Sequence, residues 1–515
     1  LLKRHSLEAW GYRLGDPKID YMEWCATAGI ADPFAVWSQE MEDYCVQDVL
    51  TLESLWNHLV KQNYPEYPVQ LEHEVAQIIF RQETHGFLFD QSKAGVLHAK
   101  LVDHKCRLEA DLKNTFKPMF VRDGKEPKTP KVNNSKYGYT KDAPFFPVKC
   151  KEFNPGSRDH VALWLRRLHG WKPVEFTNDG KPKIDDTVLA ALKYPEAKLL
   201  AEYFMVTKRL GQVAEGDEAW LRHVKPDGYI HGGVIPNGAV TGRMTHSRPN
   251  IAQVPAGHSP YGSDCRGLFM VPKGKKLVGA DAAALELRCL AGYMARWDNG
   301  EYIKVVVDGK KALGTEIHSV NQRALGIDSR DDAKTWFYAF IYGAGDAKLG
   351  STLLHKKAPT GADGRVNQQH PVVKAGKASR DTFLKNLPAL GSFADAVKKK
   401  VAKQKSLTGL DGRILHVRSQ HAALNTLLQS AGAIIMKVAL VILDKKLQAL
   451  GYIPGVNYEF VANVHDEWQI EVDEELAESV GHACVSAMQQ AGRDLKFRCD
   501  ITGEFKVGNN WAETH

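Results

Sequence analysis

The 515 residues, 43% hydrophobic and 25% charged with 43 Gly and 23 Pro, have the composition of ordinary globular protein, which excludes a fibrous or disordered chain and leaves room for about three or four domains. Net charge is only +7, yet 117–151 carries +6 and 356–405 carries +9 against −8 for the remainder, and basic charge gathered on an acidic background suits a surface that follows a phosphate backbone. Eight cysteines without a Cys-x-x-Cys pair read as reduced thiols of an intracellular protein rather than a disulfide or zinc scaffold, and no uninterrupted apolar stretch approaches the roughly 20 residues of a membrane span.

Leu1, Leu2, Lys3 and Arg4 lead straight into polar sequence with no signal-peptide pattern, and the missing initial Met reads as a piece or processed product of something longer. No repeat recurs, so several different domains are expected. From Asp90-Gln91-Ser92, with Ser92 as the cap, Leu97, Leu101, Leu108 and Leu112 predict a helix of about 23 residues. Pro, Lys, Asn and Gly over 117–141 predict a loop excursion, with regular structure resuming near 161–165 and a second helix over 186–214. Residues 276–281 read as a buried strand ending in a carboxylate and running into a helix over 282–296. Residues 460–472 read as two strands around a tight polar turn, His465-Asp466-Glu467.

Asp281 and Asp466, 185 residues apart, each end a strongly apolar strand. A shared sheet would bring them together, and two carboxylates can hold two divalent ions for phosphoryl transfer. The plainer reading of either Asp alone is a helix cap or turn residue. In 330–343, Arg330, Lys334, Tyr338 and Tyr342 recur every four residues and form one stripe on a helix. Two cations followed by two aromatics suit a triphosphate at one end and a stacked base or sugar at the other; alone, the segment would equally be an amphipathic helix with snorkelling Lys and Arg.

Three stretches, Asp-x-x-x-x-Glu-Leu-Arg from Asp281 to Arg288, the Arg-x-x-x-Lys-x-x-x-Tyr-x-x-x-Tyr-Gly stripe and His465-Asp466-Glu467, resemble in order the polymerase motifs of the family A (Pol I type) DNA polymerases. Thr241-Gly242-Arg243 and Asn425 with Gln429 extend the resemblance, which covers nearly the whole chain and is closest in wording to phage replicative members. It implies an α+β, right-hand polymerase: a remnant of a 3′→5′ exonuclease at 1–70, thumb at 71–225 with a basic insertion at 117–151, an antiparallel palm at 226–302 and 425–515, and helical fingers at 303–424. It implies Asp281, Asp466 and the backbone carbonyl of Ala282 as ligands of two Mg²⁺ ions, Glu467 assisting near the primer end, and His465 shaping the turn. Arg330 and Lys334 would grip the triphosphate of the incoming dNTP with His318 as a third contact, Tyr338 would pack on its deoxyribose, and Glu286 would bar a ribose 2′-OH. Arg243, Tyr342, Gly343, Asn425, Gln429 and His465 would lie along primer-template DNA. The implied activity is template-directed addition of dNTPs to a primer 3′-OH in phage-type replication, by a monomer in the host cytoplasm.

Ala283 stands where the family usually has Ser, and Tyr44 and Asp48 match only the last exonuclease motif, the earlier Asp-x-Glu motif being absent, so no exonuclease is expected. Phage members recruit host thioredoxin through a thumb insertion. The segment 117–151 occupies that place but is shorter, with few apolar anchors, so it is expected to serve DNA through its charge, with thioredoxin left open as a partner. The rivals are a single-subunit RNA polymerase, against which Glu286 speaks, an inactive DNA-binding protein, and a nuclease working through Asp48.

Overall fold

The computed structural model describes residues 5–177, 179–356, 358 and 366–515; residues 1–4 and part of the basic stretch 356–405 lie outside the described residues. The chain divides into two compact units, Leu1–Gln70 and Leu71–His515. The first holds three helices, α1 (Leu7–Leu14), α2 (Tyr21–Thr27) and α3 (Gln39–Val60), each started by a side-chain cap from Ser6, Asp20 or Ser38.

In the second unit α4 (Glu66–His85) and β1 (Phe87–Phe89) lead into α5 (Gln91–Thr115). The cap of α5 is Asp90, which accepts from the Lys93 amide at 2.9 Å, and not Ser92, which lies inside the first turn. Leu97, Leu101, Leu108 and Leu112 are buried as their spacing predicts. The expected loop at 117–141 is instead the body of an antiparallel ribbon: β2 (Met119–Arg122) pairs with β3 (Val148–Lys151), and bridges Lys128↔Phe145 and Asn134↔Tyr139 continue it. Lys and Pro hide the alternation that marks a strand, and ring contacts among Tyr137, Tyr139 and Phe145 hold the ribbon in its place. After α6 (Arg158–His169), the helix expected over 186–214 is broken before Pro195, whose ring presets the first turn of α7 (Pro195–Leu210), and it ends in a π turn at Gly211–Glu215.

The centre of the unit is a four-stranded antiparallel sheet. It is built from β4 (Lys275–Ala282), then, after a long mainly helical stretch, β7 (Tyr458–Val464), β8 (Glu467–Asp473) and β9 (Gly503–Gly508), in the order β7-β8-β4-β9. Between them lie α8 (Leu285–Asp298), α9 (Ile317–Leu325), α10 (Arg330–Ile341), α11 (Pro371–Asn386), α12 (Pro388–Gln404), the hairpin β5 (Ser406–Thr408) and β6 (Ile414–His416), and α13 (Ala423–Ala449); α14 (Ala477–Asp494) joins β8 to β9. Period-two alternation sorts the faces. Val278, Ala280, Trp468, Ile470 and Val472 join one core with α13 and α14, while Asp281, Glu467, Gln469, Glu471 and Glu504 share the opposite face through the register Glu467↔Asp281↔Glu504.

The expectation about membrane spans needs correcting. Residues 420–449, which include α13, are long and apolar enough to cross a membrane, though most of that apolar window is buried inside the protein. Lys437 and Asp444 interrupt the apolar run in the sequence, and the middle of the helix is buried in the protein core while its ends reach solvent.

Candidate active site

Register places the two carboxylates that the sequence singled out. Glu467 pairs with Asp281, and the amide of Ala282 donates to the carbonyl of Asp466 at 3.1 Å, so the tip of the β7–β8 hairpin meets the end of β4. The hairpin closes through His465 at φ 58°, a left-handed residue that turns the chain between the strands. Beyond β4, Ala284 at φ 52° starts α8, and Arg288 reaches back from that helix to the carbonyls of Ala283 at 2.8 Å and Asp500 at 2.6 Å, which fixes the turn carrying Asp281. Asp281 keeps solvent contact, yet desolvation by the surrounding protein, reinforced by the charges of Asp466 and Glu467, lifts its carboxyl to about 7. Burial likewise raises Asp466.

Glu467 is in a different condition. It is 6% exposed, and its Oε1 accepts from Gln469 at 2.6 Å and from the Trp511 indole, with the Arg266 guanidinium at 3.7 Å; Oε2 accepts from Nδ1 of His515 at 3.0 Å. Burial opposes its ionisation, but the His515 hydrogen bond and charge, Arg266 and Trp511 outweigh it and hold the carboxylate below its usual range. Gly279 makes room for this arrangement, since a Cβ there would lie 2.6 Å from the carbonyl oxygen of Thr514. Glu467 therefore anchors residues 511–515 beside the carboxylate pair. Sequence reasoning missed Arg266, Gln469 and His515 as its partners, and also Glu504, which stands in register with Asp281 across β4. Among the described residues no group of three or more His, Cys, Asp or Glu is arranged to hold a metal ion.

Elsewhere in the second unit, α10 buries Ala333, Trp336, Phe337, Phe340 and Ile341, with the Trp336 ring 4.9 Å from that of Phe383 on α11. The opposite face is the stripe. Arg330 donates through Nε to Glu316 Oε1 at 2.9 Å, Lys334 is exposed, and the half-buried Tyr338 ring lies 6.0 Å from His318. Tyr342 donates to Glu286 Oε2 at 2.7 Å, and Arg243 donates to Oε1 of the same carboxylate at 2.7 Å, so Glu286 closes the stripe's far end against the palm. Burial and this bond to Glu286 push the Tyr342 phenol upward. Gly343 follows at φ 79°, where a Cβ would meet the His421 carbonyl at 2.6 Å. Asn425 and Gln429, four apart near the start of α13, are both half-exposed. In the first unit Asp48 is ion-paired with Lys18 at 2.9 Å, and Lys18 also donates to Tyr44 at 3.2 Å.

The sequence profile of DNA polymerase family A matches residues 139–513. The DNA-directed DNA polymerases of Enterobacteria phage T3 and Escherichia phage T7 are each 37% identical over 605 aligned positions, spanning 99% of this chain and 83% of theirs. DNA polymerase I of Pseudomonas aeruginosa is 27% identical over 71% of this chain and 39% of its own length. A solved structure described as the POL domain of Pol1 from M. smegmatis in complex with DNA primer-template and dNTP has the same fold, with TM-score 0.71, 17% identity, and coverage of 99% of this chain and 80% of that one.

Proposed function

This chain belongs to DNA polymerase family A and is a DNA-directed DNA polymerase, and on that premise we propose that the cleft between α10 and the β4/β8 strand ends is where a dNTP joins a primer 3′-OH. The reading is carried by one observation: the β-register brings Asp281 and Asp466, 185 residues apart, to adjoining strand ends, from which α8 runs on to the Glu286 that holds the Tyr342 end of the α10 stripe.

Two carboxylates at adjoining strand ends, one of them lifted to about 7, form the donor set that a pair of divalent ions neutralises. Asp281, Asp466 and the Ala282 carbonyl would hold Mg²⁺, which when bound supplies a Lewis acid for the primer hydroxyl and counter-charge for the leaving pyrophosphate. Arg330, Lys334 and His318 orient the triphosphate and offset charge that develops on the transferred phosphoryl group. Tyr338 lies under the sugar, and Glu286, fixed by Arg243 and Tyr342, fills the space beside its 2′ position. Arg243, Asn425, Gln429, His465, Tyr342 and Gly343 line the path of primer and template, whose minor groove offers acceptors at similar places for every base pair. Glu467 keeps the hairpin tip in place from beneath rather than touching the primer. We assign a thumb to 71–225, palm to 226–302 and 425–515, fingers to 303–424 and a remnant of an exonuclease to 1–70, a reading supported at one boundary by the division of the chain at Gln70/Leu71. The ribbon at 117–151 lies in the thumb segment and gives its charge to duplex DNA. Thioredoxin is left as a partner to be tested by product length with and without it.

Incorporation of labelled dNTP and rNTP on a primed template, with Mg²⁺ or with chelator, tests the reading. Extension with dNTP alone, abolished by chelation, is expected. Metal-independent extension, or equal use of rNTP, would remove the metal assignment or the Glu286 assignment respectively.

A further inference from the structure

Arg330 and His318 begin different helices, and one carboxylate governs both. Glu316 precedes α9 as its cap. Its Oε2 accepts from the His318 amide at 2.9 Å, and its Oε1 accepts at 2.9 Å from the Ser319 amide and the Ser319 hydroxyl. The same Oε1 takes Nε of Arg330, the first residue of α10, also at 2.9 Å. Burial works against this charge, but the bonds from Arg330, His318 and Ser319 outweigh it and hold the carboxyl at about 2, so Glu316 is ionised at every working pH. Glu ranks behind Ser, Thr, Asp and Asn as a helix cap, so a cap alone does not account for this residue type at this place. Asp, one methylene shorter, reaches less far beyond the α9 amides toward a guanidinium on another helix.

Resting on the assignment of Arg330 to the triphosphate made above, we infer that Glu316 is a positioning residue for nucleotide binding: it holds Arg330 by Nε and so aims the other guanidinium edge at the incoming phosphates. A guanidinium recognises a phosphate with two N–H groups along one edge. With Nε engaged, the Nη1/Nη2 edge is left for the triphosphate, its one carboxylate neighbour being the solvent-exposed Asp331, whose Oδ1 lies 3.7 Å from Nη1, and the direction of that edge is set before the nucleotide arrives. The carboxylate also ties the start of α9 to the start of α10, which keeps His318 and Arg330 at one spacing. It further cancels one of the positive charges at the site, so that binding depends on geometry more than on bulk attraction.

The test is a double-mutant cycle on the full 515-residue chain, measuring dNTP KM, kcat and primer-template Kd in single-nucleotide addition. Glu316→Ala is expected to raise the dNTP KM by about tenfold, with kcat within about threefold and primer-template Kd unchanged. In an Arg330→Ala background the same change should add less than about twofold, because the group it aims is gone. Glu316→Gln, which keeps one acceptor for Nε, should fall between wild type and Glu316→Ala, and it carries the cycle if the alanine variant does not fold. An equal effect of Glu316 replacement with and without Arg330 would make it a helix cap and nothing more, and an unchanged KM in both Glu316 variants would also overturn the inference. If Arg330→Ala alone leaves the dNTP KM unchanged, it is the triphosphate assignment that fails instead.

Discussion

A carboxylate partly desolvated by the protein beside another carboxylate takes up a proton or a metal ion, and Asp281 stands at that choice with its carboxyl at about 7. Replacing Asp281 or Asp466 with Ala is expected to slow nucleotide addition by more than about a thousandfold. Primer-template affinity should hold or rise, because a negative charge facing the phosphates is lost; a gel-shift titration beside single-turnover extension checks both, and residual turnover above a few per cent would remove the residue from the reaction. At the sugar, Tyr338 brings a phenol hydroxyl that can stand where a chain terminator lacks its 3′-OH. Tyr338→Phe should therefore raise discrimination against dideoxynucleotides by at least about tenfold with ordinary dNTP use kept, read from the ratio of kcat/KM values. Glu286 carries both Arg243 and Tyr342, so Glu286→Ala should admit rNTP and also loosen Tyr342, whereas Tyr342→Phe should leave rNTP exclusion intact.

Among the elements, the ribbon at 117–151 shows how charge and local structure combine. Nine Lys and Arg on a two-stranded frame are presented as a surface, where an unstructured loop of the same charge would pay more entropy on binding. Replacing residues 124–146 with a two-residue turn, which leaves β2 and β3 paired, should flatten the slope of log affinity for primer-template against log salt by several units, since each neutralised phosphate adds roughly 0.9. Single-nucleotide addition at low salt should survive. An unchanged slope would separate the ribbon from DNA. The α10 stripe could be read from its four-residue spacing, because the buried Trp336, Phe337 and Phe340 take the opposite face of the helix into the core. The ribbon could not, since its strands are short and its apolar residues few.

At the scale of the whole molecule, contacts far apart in sequence fix the palm to α4. Arg81 binds Asp444 on α13 and lies 3.4 Å from Glu459 on β7, and both carboxylates are almost fully buried. Arg81→Ala would leave Glu459 without its guanidinium and Asp444 with Tyr458 and Gln448 as its donors, at a loss of about 2–4 kcal/mol, somewhat below the cost of breaking a fully buried pair because Arg81 keeps some solvent contact and Asp444 keeps two donors; urea unfolding measures it, and a loss under about 0.5 kcal/mol would show the cluster to be ornamental. Next to it, His85 pairs with Glu471 at 3.3 Å, and that neighbouring carboxylate raises the imidazole above its usual value. A raised folded value means that the contribution is complete below the unfolded value near 6.5 and fades as pH rises through the folded one. His85→Gln should therefore lower Tm more at pH 6 than at pH 9, and a difference independent of pH would exclude the charged pair.

The sequence by itself determined the chemistry on offer and much of the local structure: the carboxylates at strand ends, the stripe on α10, the Leu spacing of α5, and a family whose motifs occur in order. These are short-range patterns, set by a period of 2 or 3.6 residues and by side-chain type. It left undecided which groups already have partners, because partners are chosen by tertiary contact. Glu467 and Asp466 are neighbours in the chain, yet one is saturated by Gln469, Trp511 and His515 while the other stays beside Asp281. Asp48 is engaged by Lys18 from the connection between α1 and α2, and Glu316, which no motif marks, holds two groups at once. Low dielectric and close packing make such choices costly to reverse, and they are made by residues that sequence order keeps apart.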